Sequence, residues 1–249
     1  MFEVACMAVE LHNIHKESFS EFRACHRGRD VAVVATGPTL NYYSQVKGIP
    51  HIGVNSSFLK KDIHLDFYFL WHYVQEWCEA LKDYEFIKFF AGNRKNTAYE
   101  DNFPEYIVEQ NNARRFFTGE PSREIYTDIE FHPLMGFRSV IFPALQFAIY
   151  TRPKRILLVG CDCSANGHYD GLELGSFERN HIIPTWREGY KALDRFTKCF
   201  YPDMEIISIN PVGLKGMFHD VYTESYLQAH PELSNLSECE VFKPEAFSE

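Results

Sequence analysis

Val31-Ala-Val-Val-Ala-Thr-Gly-Pro-Thr-Leu40 decides the fold class of this chain. The small and β-branched apolar residues of Val31–Ala35 read as a strand buried on both faces, and they run straight into Thr36-Gly37-Pro38-Thr39. A strand that empties into a Gly-containing, hydroxyl-bearing turn ahead of a helix brings bare backbone N–H groups close to a ligand. This is a common way to hold a phosphate. The same four residues also suit a plain β-turn with Pro at its second position. The turn matches neither the dinucleotide pattern G-x-G-x-x-G nor the Walker pattern.

Working outward, short apolar runs recur. His51–Asn55, Asp66–Trp71, Phe86–Phe90, Arg155–Val159 and Glu205–Ile209 read as further strands, the last being the final clear one. Helices are expected over Val74–Lys82 and Ser139–Tyr150, and a helical lead-in over residues 1–28. Tyr42–Val46 reads as a short helical or turn segment. A second short helix is expected over Ser56–Lys61, with Ser56 or Ser57 at its cap. Residues 92–130 look less regular, and the tail from His230 looks peripheral. Apolar strands alternating with helices predict an α/β fold: a Rossmann-like, mostly parallel sheet with helices on both faces and a lid segment. One domain over 1–249 is expected, with 164–190 as a lid-like insertion.

Composition narrows the partners. The net charge of −9 argues against nucleic acid, whose phosphates require clustered Lys and Arg. The 22 Phe and 14 Tyr suit a thick core and a ring-lined pocket. No apolar run approaches the ~20 residues needed to span a bilayer, and no signal peptide is visible at Met1-Phe-Glu-Val-Ala-Cys6. The seven cysteines are scattered, and Cys161-x-Cys163 lacks a second pair to make a zinc site. They read as small buried residues in a reducing cytoplasm.

In an open parallel sheet, ligands bind beyond the carboxyl ends of the strands. The residues at those ends are Thr36-Gly37, Asn55, His72, Gly160-Cys-Asp-Cys-Ser164 and Asn210-Pro211, all polar turns suited to a nucleotide-sized crevice. Asn55 can pair with a base edge or sugar hydroxyl, or cap the helix that follows. Asp162 can hold a ribose or metal, or brace its loop. The stretch Ser164–Tyr190 is loop-like and rich in Gly, Asn, His and aromatics, and long segments of this kind inside compact domains often act as lids. His168 and His181 are both candidate general bases.

These motifs, taken in order, resemble the bacterial family 42 sialyltransferases. The carriers are Gly37-Pro38-Thr39-Leu40, Asn55, Gly160-Cys161-Asp162, Asn166-Gly167, Tyr169, Asn180-His181 and Asn210-Pro211, over roughly residues 29–220. The resemblance implies a Rossmann-like single domain with a lid, a CMP-linked sugar donor and no metal. It makes His181 the base that deprotonates the acceptor hydroxyl and Tyr169 a phosphate-contacting hydroxyl, with Arg138 and Ser139 near the phosphate or carboxylate. Thr36 stands where that family has Asn, and Ser164 where it has the first of two Tyr. Thr36, Gly37, Pro38, Thr39, Asn55, Arg138, Ser139, Asp162 and Ser164 are then the expected nucleotide-binding set. The implied activity is transfer of a sugar, with inversion, from a nucleotide-activated donor to a glycan acceptor in cell-surface polysaccharide synthesis. A lipid-linked acceptor would bring the enzyme to the inner membrane face, and relatives often form homo-oligomers.

The same turn and sheet order also resemble the hydroxymethylpterin diphosphokinase-like family. That family transfers pyrophosphate from ATP with Mg and needs carboxylates near the strand ends. A non-catalytic nucleotide-binding accessory protein is the third reading.

Overall fold

A computed structural model describes residues 13–92, 103–119, 124–173, 175–176, 178–233 and 239–247. The first strand, β1 (Asp30–Val34), is buried throughout and lies at the middle of a nine-stranded sheet. Its neighbours are β2 (His51–Val54) and β8 (Arg155–Val159), both parallel to it. β3 (Phe67–Leu70), β4 (Ile87–Ala91) and β5 (Arg114–Phe116) continue outward from β2. On the other side, β9 (Glu205–Ile209), β10 (His219–Tyr222) and β11 (Glu240–Val241) continue outward from β8. Every pairing is parallel, so the expected α/β, Rossmann-like sheet is what the chain forms. A separate parallel pair joins β6 (Thr118–Gly119) to β7 (Leu134–Met135).

Side-chain alternation builds the two faces. Phe67 and Phe69 of β3 meet Phe22 and Phe147, and Phe69 stacks on its register partner Phe89 at 4.5 Å. Tyr68 points the other way, against Phe58 and Phe86. The helical residues 13–19 (α1), which carry buried Phe19, share the first face with α4 (Ile141–Tyr150). All ten residues of α4 are buried as it packs across β1–β3, so this helix has no polar stripe. The remaining helices are α2 (Gln75–Leu81), α3 (Glu105–Gln110), α5 (Ile183–Phe200) and α6 (Glu224–Ala229). Among the described residues no helix is long and apolar enough to cross a membrane.

Several expectations change. The irregular stretch 92–130 holds α3, β5 and β6, and the lead-in helix is confined to 13–19 where described, followed by the 3₁₀ turn Ser20–Phe22. The turn expected over Tyr42–Val46 is a 3₁₀ turn at Pro38–Tyr42, directly after Gly37. The helix after β2 is the 3₁₀ turn Asn55–Leu59, and neither serine caps it. Beyond β9 come two more strands, and the tail is not peripheral. β11 closes the sheet edge, while Phe242 and Phe247 are buried. Arg155 also ties the tail in: it pairs bidentately with buried Asp30 (2.8 and 2.5 Å), bonds the Ala246 carbonyl and lies over the Phe247 ring. Finally, 164–190 is not loop throughout. A π-helical turn at Glu178–Ile182 leads into α5, which starts with Pro184 in its first turn.

Candidate functional site

The chain runs outward from β1 in one direction and outward from β8 in the other, so the β1/β8 junction is the sheet's topological switch point. The carboxyl ends of two adjacent parallel strands diverge there and leave a crevice. A cavity of about 350 Å³ opens at that point. Its walls come from four places: Ala35–Gly37 after β1, Val54–Asn55 after β2, Arg138–Ile141 at the start of α4, and Gly160–Ser164 after β8. His72 after β3, His168 of the following loop, and Trp186 and Tyr190 of α5 complete it.

The two central turns are bolted together. The Gly37 N–H donates to the Gly160 carbonyl at 2.8 Å. Asp162 accepts from the Thr39 N–H at 3.0 Å through one oxygen and from the Thr39 hydroxyl through the other. A Cβ on Gly37 would stand 2.5 Å from Asp162 Cγ, so only glycine lets the turns approach this closely. Both Asp162 oxygens are therefore committed to the turn, which makes the residue a brace. Burial pushes its pKa up to about 6 against the opposing pull of the Thr39 hydrogen bonds. Thr39 and Pro38 shape the turn from behind and do not line the cavity.

The opposite wall is the turn Gly136–Ser139, closed by the Ser139 N–H to the Gly136 carbonyl (2.8 Å). Its central residues, Phe137 and Arg138, both have positive φ (41° and 60°), an uncommon backbone for large side chains that aims Arg138 at the cavity rim. The Trp186 indole N–H bonds the Arg138 carbonyl at 3.4 Å, and the Ser139 hydroxyl accepts from the Ile141 N–H at 3.4 Å. Behind the turn, buried Gln146 bonds both backbone groups of Met135 (2.9 and 2.7 Å) and fixes the approach to α4. Among the described residues the lining thus holds the Arg138 cation at its rim, a helix N-terminus in its wall and several hydroxyl and amide groups. That inventory suits an anion attached to a polar organic body.

The structure brings together Thr36, Gly37, Asn55, Arg138, Ser139, Asp162 and Ser164 of the expected set. Tyr169 and His181 are outside the cavity lining. The Tyr169 hydroxyl donates to the Ser56 carbonyl at 2.9 Å and its N–H donates to the Thr36 carbonyl at 2.8 Å, so Tyr169 anchors the loop. His181 lies exposed on the π-helical turn. The histidines that line the cavity are His72 and His168, and the Nδ1 of His168 is 2.7 Å from the Thr36 hydroxyl. Asn55, at φ 49°, caps no helix with its side chain. Asn210 is buried and pairs with Thr223 at the start of α6, so the end of β9 is structural. Trp186 and Tyr190 were missed as lining residues; their helical spacing of four, on one face of α5, was the available signal. Cys161 and Cys163 are buried in the cavity floor, and burial raises both thiols to about 12. Among the described residues no group of three or more His, Cys, Asp or Glu side chains is arranged to hold a metal. No protein-family model and no curated protein sequence matches the chain.

Proposed function

We propose that the crevice at the β1/β8 switch point binds a nucleotide-activated sugar and transfers the sugar to a glycan hydroxyl. The convergence of four chain segments on one cavity carries this reading: the Thr36-Gly37 turn, Asn55, Arg138-Ser139 and Ser164. In this reading Arg138 and the first turn of α4 offset the phosphate charge, while Asn55 pairs with the base or sugar. His72, which lines the cavity at its exposed rim, takes the acceptor proton in place of His181. Magnesium-dependent pyrophosphoryl transfer ranks second, because the carboxylate nearest the cavity, Asp162, already spends both oxygens on Thr39.

Thermal-shift measurements with CMP, UDP, GDP, ADP and ATP, with and without magnesium, test the proposal first. A shift by a nucleotide without metal is expected, followed by nucleotide release from the matching nucleotide sugar when an acceptor is added. A shift by ATP only in the presence of magnesium would replace the proposal with the kinase reading. Binding with no turnover of any nucleotide sugar would leave an accessory protein. His72→Ala is expected to lower turnover by about 100-fold or more with little loss of nucleotide binding, whereas His181→Ala retains activity.

A further inference from the structure

Thr36 is 5% exposed, and His168 Nδ1, 2.7 Å away, is the hydrogen-bond partner of its hydroxyl among the described residues. The tautomer of the ring sets the direction of this bond, and a Thr36 O–H that donates to it spares a nearly buried hydroxyl the cost of an unsatisfied donor. Nδ1 is then the acceptor. A neutral imidazole that accepts at Nδ1 carries its proton on Nε2, so Thr36 selects the tautomer of the ring. The loop that carries His168 is held in register on both sides: the His168 N–H bonds the Leu172 carbonyl at 2.8 Å, and Tyr169 is tied to Thr36 and Ser56. Asn41 adds a bond to the Tyr169 carbonyl at 3.1 Å. The ring lines the cavity on the same wall as the Thr36-Gly37 turn. The charged and titratable groups that line the cavity with it are Arg138, His72, Asp162, Cys161, Cys163 and Tyr190, and Tyr169 and Asp170 follow it in its own loop.

We infer that His168, set in its Nε2–H form by the buried Thr36 hydroxyl, is the hydrogen-bond donor to the departing phosphate of the nucleotide sugar. The inference rests on the nucleotide-sugar reading of the crevice. In the transfer step the acceptor oxygen forms its bond to the anomeric carbon as the bond from that carbon to the phosphate oxygen breaks. The electron pair stays on the phosphate oxygen, where the Nε2–H meets the growing charge, and the acceptor proton goes to His72. His168 keeps its proton throughout. A preorganised donor aimed at developing charge is worth about 100-fold or more in rate. This assignment gives the site a donor at the phosphate, where Ser164 is short and the Tyr169 hydroxyl is turned to Ser56.

The test combines ring-nitrogen NMR on the whole protein with two substitutions that differ in which ring nitrogen they mimic. The wild-type His168 ring is expected in the Nε2–H form, with that resonance moving on addition of inorganic phosphate, and Thr36→Val is expected to release the tautomer preference. His168→Asn keeps an acceptor near Thr36 but has no group at Nε2, and should lower kcat about 100-fold with KM little changed. His168→Gln places an amide donor near Nε2 and should recover most of that loss. An Nδ1–H tautomer in the wild type, or wild-type turnover by His168→Asn, overturns the inference. If the wild-type protein turns over no nucleotide sugar, the function proposal fails. The tautomer and the phosphate-induced shift at Nε2–H still decide the role of His168 as an anion donor.

Discussion

At the scale of single residues, the Asp162–Thr39 pair holds the site together from the cavity wall inward. A buried carboxylate whose oxygens both accept from one threonine fixes the distance between the β1 and β8 turns. Its raised pKa means that the folded state favours the protonated form. The associated stability is present below the unfolded value of 3.8 and is lost as the pH rises through about 6. An asparagine at this position accepts from the Thr39 N–H, donates to the Thr39 hydroxyl and brings no buried charge. Asp162→Asn is therefore expected to leave stability at pH 7.5 unchanged or slightly increased, with the gain shrinking below pH 6. Thr39→Val strips one donor from a buried carboxylate and should cost about 1–3 kcal/mol in urea unfolding at the same pH. A larger loss in Asp162→Asn than in Thr39→Val would contradict the brace. Thr36, one turn away, shows how the same residue type serves a different end, because its hydroxyl faces an imidazole in place of a carboxylate.

At the scale of elements, α4 and its entry turn set where the cation sits. Gln146 acts as a substitute strand, bonding the Met135 N–H and carbonyl, so β7 is clamped to the helix and Arg138 is delivered to the rim. Gln146→Leu leaves both Met135 groups buried without partners and is expected to destabilise the protein by about 2–4 kcal/mol. It should also shrink the nucleotide-induced thermal shift more than a surface substitution of equal cost does, since the Arg138 turn loses its anchor. An undiminished shift would separate the helix from the site. Much of this level was legible in the sequence. Strands buried on both faces must be continuous apolar runs, so Arg155–Val159 and Glu205–Ile209 match the structure residue for residue. β10 and β11 escaped because His219-Asp-Val-Tyr222 has a half-exposed polar start and β11 is two residues long at a sheet edge. The start of α5 escaped for another reason. The Gly-, Asn- and His-rich composition of 164–190 reads as loop, yet Gly189 sits inside α5, where a Cβ would come within 2.5 Å of the Phe142 ring and 2.8 Å of Phe137. The walls of the crevice were readable from the strand-end rule; which side chain of the 168–169 pair faces inward was not. Adjacent residues in a loop point apart, and only the hydrogen bonds from Tyr169 to Ser56 and Thr36 decide the register.

At the scale of the whole molecule, buried histidines oppose the brace in their response to pH. His51 lies between the Tyr43 hydroxyl and the Ile49 carbonyl, and burial lowers its pKa to about 4. His26 is also lowered to about 4 by burial, and its Nδ1 has no hydrogen-bond partner among the described residues. Both rings are neutral in the folded state and charge readily once exposed. The unfolded chain therefore binds more protons as the pH falls below 6.5, and stability is lost between there and about 4. Asp162 pulls the other way over nearly the same window, recovering stability as the pH drops from 6 towards 3.8. Two histidines shifted by similar amounts outweigh one carboxyl. Discounting His26 for solvent screening, the net loss from pH 7 to pH 5 is roughly 1–2 kcal/mol, a fall in Tm of a few degrees. His219 adds a term at the opposite end: the Glu240 and Glu205 carboxylates raise its pKa, so its contribution is present below 6.5 and fades as the pH rises past its folded value. Calorimetry across pH 4–9 on wild type, His26→Gln and Asp162→Asn separates these contributions. The acid-side loss should be smaller in His26→Gln and larger in Asp162→Asn, because the asparagine removes a group that compensates. Equal slopes in all three proteins would show that other groups govern the acid limb.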